Sequence, residues 1–208
     1  MIRITKESLE LTRKISDAIK NQTFHHHYHI LYDIAQSYNT EYEINYLEIG
    51  CYAGASACLL LQRKKTNVIS IDLGIPISKN IVFSNVNKLN KHNNRYEYIE
   101  GNSHDKKTIN KLNDILIEKK VDILFIDGDH SYEGVRKDFE IYSKYVKEGG
   151  YIIFDDYNDH KYSPEVKLSV DDLDLSEYDT LGEFGNEFGA RPEDHKPNEF
   201  VIRKNTKK

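Results

Sequence analysis

The stretch "VDILFIDGDHSYEGV", residues 121–135, reads as a buried strand that ends in acids and then turns into a helix. Ile123 to Ile126 is an apolar run, and Asp127, Gly128, Asp129 and His130 follow it directly. From Ser131 the periodicity becomes helical, with Tyr132, Val135, Phe139, Tyr142 and Val146 at 3-4-3-4 spacing. Ser131 stands where an N-cap belongs, and Gly149-Gly150 where the helix over 131–147 must stop. The pattern then repeats: in "GYIIFDDY", Tyr151 to Phe154 runs into Asp155 and Asp156.

Outward from this stretch, short runs rich in β-branched and aromatic residues recur at Tyr46–Ile49, Val68–Ile71 and Tyr96–Ile99. The segments between them are long enough for crossover helices. Strands alternating with helices predict an α/β fold with a parallel sheet covered on both faces. Residues 6–20 and 24–38 predict two N-terminal helices. After the fifth strand, Pro164 to Leu175 predicts a short helix, and Tyr178–Phe184 and Glu199–Arg203 predict two strands. With no helix between them, these last two should pair antiparallel, joined by the polar loop "GNEFGARPEDHKPN". The chain reads as one domain over 1–208: N-terminal helices over 1–40, a ligand-binding core over 41–157, and a helix, hairpin and tail over 158–208.

At 208 residues, 38% hydrophobic and 30% charged, the chain suits one globular domain with a substantial core. It has no apolar run of membrane-spanning length. The stretch "MIRITKESLELTRK" lacks the apolar centre of a secretion signal, which leads to the expectation of a cytoplasmic protein. Cys51 and Cys58 read as free buried thiols rather than a disulfide or zinc pair. A net charge of −5 with scattered basic residues argues against nucleic acid and membrane surfaces as partners. The exposed tyrosines and the N-terminal helices leave room for a homodimer.

The first strand runs into "YLEIGCYAGASACLLL". Gly50 and Gly54 bracket a tight turn, and Ala55, Ser56 and Ala57 open the next helix with small side chains, so that backbone N–H groups can approach a ligand. Tyr52 holds the middle position of what would be G-x-G-x-x-G, which disfavours a nicotinamide-dependent oxidoreductase. Asp72 ends the second strand, where a carboxylate can accept both hydroxyls of a ribose. Asn102 and Ser103, after the third strand in "IEGNSHD", stand where they could edge an adenine ring. All three features lie at the carboxyl ends of strands, the edge at which open α/β sheets bind ligands.

The ordered set "LEIGCYAGAS", "ISIDL", "IEGNS", "FIDGDHSYEGVRKDFE" and "EGGYIIFDDY" resembles the successive motifs of class I S-adenosylmethionine-dependent methyltransferases. It is most similar to the small O-methyltransferases grouped with macrocin and antibiotic-sugar methyltransferases and with proteins labelled cephalosporin hydroxylase. The resemblance covers residues 46–157, with "NEFVIRK" similar to the family's last strand. It implies a Rossmann-like, seven-stranded, mostly parallel sheet whose last strand is antiparallel. It also implies S-adenosylmethionine as cofactor, with roles for Glu48, Gly50, Gly54, Asp72 and Asn102; Tyr52, Ser56, Ser103 and Asp127 join them as candidate cofactor-binding residues. Tyr52 departs from the glycine of many class I enzymes.

Parallel strands lie roughly 4.8 Å apart, so Asp127, Asp155 and Asp156 should converge at one sheet edge and repel unless a cation or protons intervene. Oxygen ligands suit Mg²⁺, or Mn²⁺ or Ca²⁺ in its place, and in the cation-dependent members acids at these matching places hold the metal. Consecutive strand residues face opposite ways, so Asp155 and Asp156 can both reach it only if the chain turns between them. His130 follows Asp127 by three, where catechol-type enzymes carry the lysine that takes the acceptor's proton. It is either that base or a cap for the following helix; Asp129 either orients it or is the base itself. In "FHHHYHIL", consecutive histidines on a helix point apart and make no compact metal site alone, although one of them could reach the cofactor or acceptor. If the strand over Tyr178–Phe184 runs parallel to the others, the last loop would overhang the pocket and offer Arg191 and His195, with Glu193 and Asp194, as candidate acceptor contacts.

The expected activity is therefore a cation-dependent O-methyltransferase acting on a hydroxyl of a sugar, glycan or other polar small molecule. A metal-independent methyltransferase using Asp127 and His130, or a catalytically silent cofactor-binding subunit, is the alternative.

Overall fold

The sequence folds around one seven-stranded sheet in the computed structural model, which describes residues 2–19, 25–188 and 198–206. Helix α1 (Lys6–Ala18) is followed by a 3-10 turn (His26–Tyr28) and α2 (His29–Gln36). Then come β1 (Ile44–Ile49), α3 (Ala55–Leu60), β2 (Thr66–Asp72), α4 (Lys79–Leu89) and β3 (Tyr96–Glu100). The second half holds α5 (Lys106–Leu116), β4 (Val121–Ile126), α6 (Tyr132–Tyr142), β5 (Val146–Phe154), α7 (Pro164–Asp171), β6 (Tyr178–Phe184) and β7 (Glu199–Lys204).

The strand order is β3-β2-β1-β4-β5-β7-β6. β7 pairs antiparallel with both β5 and β6, and the other pairings are parallel. The fold is the Rossmann-like sheet expected, with β7 as the reversed strand. Strand order reverses between β1 and β4, and that is where such sheets open a crevice beyond their carboxyl ends. Because β7 runs backwards, its first residue, Glu199, lies at that same edge.

Alternating residues feed two cores. Tyr46, Ile123, Phe125, Tyr151 and Ile153 pack under the N-terminal helices and α3. Leu47, Ile49, Leu124, Ile126, Ile152 and Phe154 pack against α5, α6 and α7. Both cysteines are free and buried. No helix among the described residues is long and apolar enough to cross a membrane.

Several boundaries differ from the periodicity reading. α6 stops at Tyr142, and Val146 opens β5 rather than closing the helix. An apolar residue at helical spacing also suits a strand facing the same core, so the pattern alone could not separate them. Gly149 and Gly150 lie inside β5, whose register jumps from Val121↔Val146 to Ile123↔Tyr151; Gly149 (φ +72°) takes up that irregularity. The second N-terminal helix begins as the 3-10 turn, which aims His27 and Tyr28 inward. The helix after β5 ends at Asp171, short of Leu175.

Candidate active site

β1 and β4 end in touching turns, which set the walls of the site. Asp127 N–H donates to the Ile49 carbonyl at 2.8 Å, and Gly50 N–H donates to the Ile71 carbonyl at 2.8 Å. Gly50 adopts φ +84°, and a Cβ there would overlap the Asp127 backbone carbonyl. Only glycine meets both conditions. Asp72 then braces the loop: Oδ2 accepts the N–H groups of Cys51 (2.9 Å) and Tyr52 (3.1 Å), and Oδ1 accepts that of Gly74 (2.7 Å).

The crevice beside this loop has a volume of about 460 Å³. Of the candidate cofactor residues, Gly50, Tyr52, Asp72, Asn102, Ser103 and Asp127 line it, together with Asp129. Glu48, Gly54 and Ser56 do not. Gly54 (φ +85°) starts α3. Glu48 lies fully buried behind the loop, accepting hydroxyls from Ser56 (2.6 Å), Ser70 (2.6 Å) and Tyr46 (2.9 Å). Burial pushes its carboxyl up to about 7 against those three donors. His104, which sequence reading passed over within "IEGNSHD", also lines the crevice, and its Nε2 lies 3.1 Å from Asp138 Oδ1.

Asp127 joins the crevice to a cluster of ionisable groups. Its Oδ2 accepts the Tyr28 hydroxyl at 2.8 Å, and its Oδ1 lies 3.3 Å from His130 Nε2. Burial alone would raise Asp127, but hydrogen bonds from His130, Asp155 and Tyr28 outweigh it and hold this carboxyl below its ordinary value. The far nitrogen of His130, Nδ1, lies 2.8 Å from Ser163 Oγ and 3.7 Å from Asp156 Oδ2. Burial lowers the affinity of His130 for a proton, yet its contacts with Asp127, then the charges of Asp156 and Asp129, raise it overall. The helix cap is the Ser131 hydroxyl, which accepts Gly134 N–H at 3.1 Å. Asp129 accepts Ser131 N–H at 3.0 Å and thus braces the start of α6.

The chain does turn after Asp155. Asp156 has φ +55°, which sends its side chain back to accept the Ser163 hydroxyl at 3.1 Å. Burial and the charge on Asp127 push the Asp156 carboxyl up to about 6. Asp155 points inward, where its Oδ1 lies 3.2 Å from His27 Nε2. Glu199 Oε1 lies 4.0 Å from the same nitrogen. Burial holds Asp155 and Glu199 well above the carboxylate range, helped by the charge on Asp127.

Four carboxyl groups and two imidazoles in one corner, half-buried at Asp127, His130 and Asp156 and buried at His27, Asp155 and Glu199, suit a divalent cation. Among the described residues, two sets place their ligand atoms within 4.8 Å of one another: Asp127, His130 and Asp155, and His27, Asp155 and Glu199. Asp156, expected as a direct ligand, belongs to neither set, because its left-handed turn commits it to Ser163 and His130. His27, Tyr28 and Glu199 escaped the sequence reading as site residues. The run "HHHYH" marked the place without saying which histidine turns inward, and Glu199 becomes a site residue only through the reversal of β7. Arg191, Glu193, Asp194 and His195 lie outside the described residues.

A family model described as "Methyltransferase domain" matches residues 47–157, from β1 to the turn after β5. An uncharacterized protein of Acanthamoeba polyphaga mimivirus is 39% identical over 161 residues, 76% of this chain and 72% of that protein. Among solved structures, an O-methyltransferase from Bacillus cereus in complex with SAH superposes with a TM-score of 0.61 at 18% identity, covering 99% of this chain and 94% of that one. A TDP-rhamnose 3'-O-methyltransferase of calicheamicin biosynthesis superposes with a TM-score of 0.57 at 14% identity, covering 96% of both chains.

Proposed function

The chain belongs to the methyltransferase-domain family, and on that premise we propose that it moves a methyl group from S-adenosylmethionine to a hydroxyl oxygen. The acceptor is a sugar or another polar small molecule, and a divalent cation sits beside Asp127 and Asp155. The observation that carries this reading is the position of Asp127, which lines the crevice and also bears His130. A donor in the crevice and a base in the cluster then face one another across a single residue.

In the transfer, the acceptor oxygen bonds to the methyl carbon as the carbon–sulfur bond breaks, and the electron pair leaves on sulfur. The acceptor's proton goes to His130 Nε2, where Asp127 stabilises the resulting imidazolium and the Ser163–Asp156 pair steadies the other nitrogen. A cation at Asp127 and Asp155 would lower the acceptor hydroxyl's pKa and hold its oxygen. Tyr28 keeps the second oxygen of Asp127 oriented. Much of the rate would come from alignment rather than from covalent chemistry.

A hollow of about 340 Å³ bordered by Asn158, Glu183, Asn186, Glu187 and Asn198, with Phe184 as its apolar member, supports a polyol acceptor, since amides and carboxylates pair readily with hydroxyls. A net charge of −5, with basic residues scattered apart from Arg63-Lys64-Lys65 and short lysine pairs, supports a small molecule over a nucleic acid. Because Tyr28 and His130 already occupy Asp127, a cation-free Asp127–His130 mechanism is the competing reading.

Calorimetry with S-adenosylhomocysteine and methyl-transfer assays on sugar nucleotides, with Mg²⁺ or chelator, test the proposal. Binding, chelator-sensitive transfer and a loss of 10²–10⁴-fold in His130→Ala are expected, on the order usual for a general base. Absence of binding sinks the whole reading. Transfer that survives chelation and Asp155→Asn sinks the cation and favours the competing mechanism.

A further inference from the structure

Beneath Asp127, three fully or almost fully buried side chains arrive from three separate elements: His27 from the 3-10 turn, Asp155 from the end of β5 and Glu199 from the start of β7. We propose that His27, Asp155 and Glu199 bind one first-row transition-metal ion, in a seat distinct from the position beside Asp127. This goes beyond the transfer reaction and does not depend on it, because occupancy is read without turnover.

The distances fit an ion. Metal bonds of about 2.1 Å place ligand pairs up to about 4.2 Å apart, and His27 Nε2 lies 3.2 Å from Asp155 and 4.0 Å from Glu199. All three ligand atoms fall within 4.8 Å of one another. Glu199 is 0% exposed, and neither of its oxygens has a hydrogen-bond partner among the described residues. Two carboxylates withdrawn from water next to each other are costly unless a cation or protons neutralise them. The backbone also closes in around this residue: Gly185, at φ +114° in the turn after β6, lies where a Cβ would strike the Cβ of His27.

The donor set also says which ion. Mg²⁺ and Ca²⁺ take oxygen ligands, whereas one imidazole with two carboxylates suits zinc, manganese, iron or cobalt. Asp155 is common to this seat and to the one beside Asp127, so filling the inner seat fixes a ligand of the outer one.

Elemental analysis of the full chain, desalted into excess Mg²⁺, tests this. About one equivalent of a transition metal per chain is expected, either as purified or after loading with Zn²⁺, Mn²⁺ or Co²⁺. His27→Ala and the near-isosteric Glu199→Gln should each lower it at least tenfold, whereas Asp156→Asn should retain it. In the Co²⁺ form, the visible absorption band should shift in His27→Ala and persist in Asp156→Asn. Content below a tenth of an equivalent after loading, or content unchanged in both His27→Ala and Glu199→Gln, overturns the proposal and leaves protons as the neutralising charge. If His27→Ala fails to fold, Glu199→Gln decides. Binding of S-adenosylhomocysteine by the same samples separates failure of this seat from failure of the methyltransferase reading.

Discussion

Glu48 is a buried carboxyl that faces three hydroxyl groups and no cation. Its folded-state pKa is raised from 4.5 to about 7 by burial. A raised value means that the folded chain binds the proton more tightly, so this contribution is fully present below about pH 4.5 and is lost as pH rises towards 7. Between those limits, stability should fall by on the order of 3 kcal/mol on this account. Glu48→Gln has no such proton, and urea unfolding at pH 5 and pH 7 should show the difference between the two proteins shrinking or reversing in that direction. A constant difference would mean that Glu48 stays ionised on its hydroxyls. Gly50 is decided by geometry alone. Gly50→Ala adds left-handed strain, of order 1–3 kcal/mol, to a collision with the Asp127 carbonyl. We expect at least a tenfold loss of S-adenosylhomocysteine affinity by calorimetry; wild-type affinity would show that the β1–β4 junction can move apart.

At the scale of elements, α6 shows what its local sequence specifies. Ser131 caps it through Gly134 N–H, as the residue type and position foretold. Ser131→Ala should cost about 1 kcal/mol in urea unfolding, and a change under a few tenths would show that Asp129 and Glu165, which accept Ser131 and Tyr132 N–H, suffice. The far end of α6 was not legible, because Val146 serves either period and Gly149 takes up a shift in register that only pairing with β4 creates. The strand ends were legible, since Gly50, Asp72, Asn102 and Asp127 each follow an apolar run of distinct composition, and the structure sets all four around one crevice. Glu48, Gly54 and Ser56 came from the same motif and yet sit behind the wall. A motif fixes order along the chain, and strand alternation decides which side chain faces the ligand.

For the whole molecule, the N-terminal helices form a roof pinned at one carboxylate. Asp33 of α2 accepts Thr5 Oγ1 at 3.0 Å and Ser8 Oγ at 2.5 Å from the start of α1, and lies 3.2 Å from His29 Nδ1. Asp33→Ala should cost about 3 kcal/mol, as for a broken buried pair. Hydrogen exchange should show α1 losing protection well before the central strands do; equal protection in variant and wild type would mean that apolar packing, led by Ile15 and Ile19, holds the roof. The two helices were legible in their own periodicity, but the pin at Asp33 was not, because contacts between distant segments leave no period in the sequence. The reversal of β7 has a consequence in time. His27 and Glu199 are 172 residues apart (199 − 27), which at about 5–20 residues per second is roughly ten seconds or more of synthesis. A nascent chain can therefore shape its crevice while its inner ligand set is still missing a member. The cluster closes only when the final strand slides between two already made, so completion of this corner reports that the chain has been made through to β7.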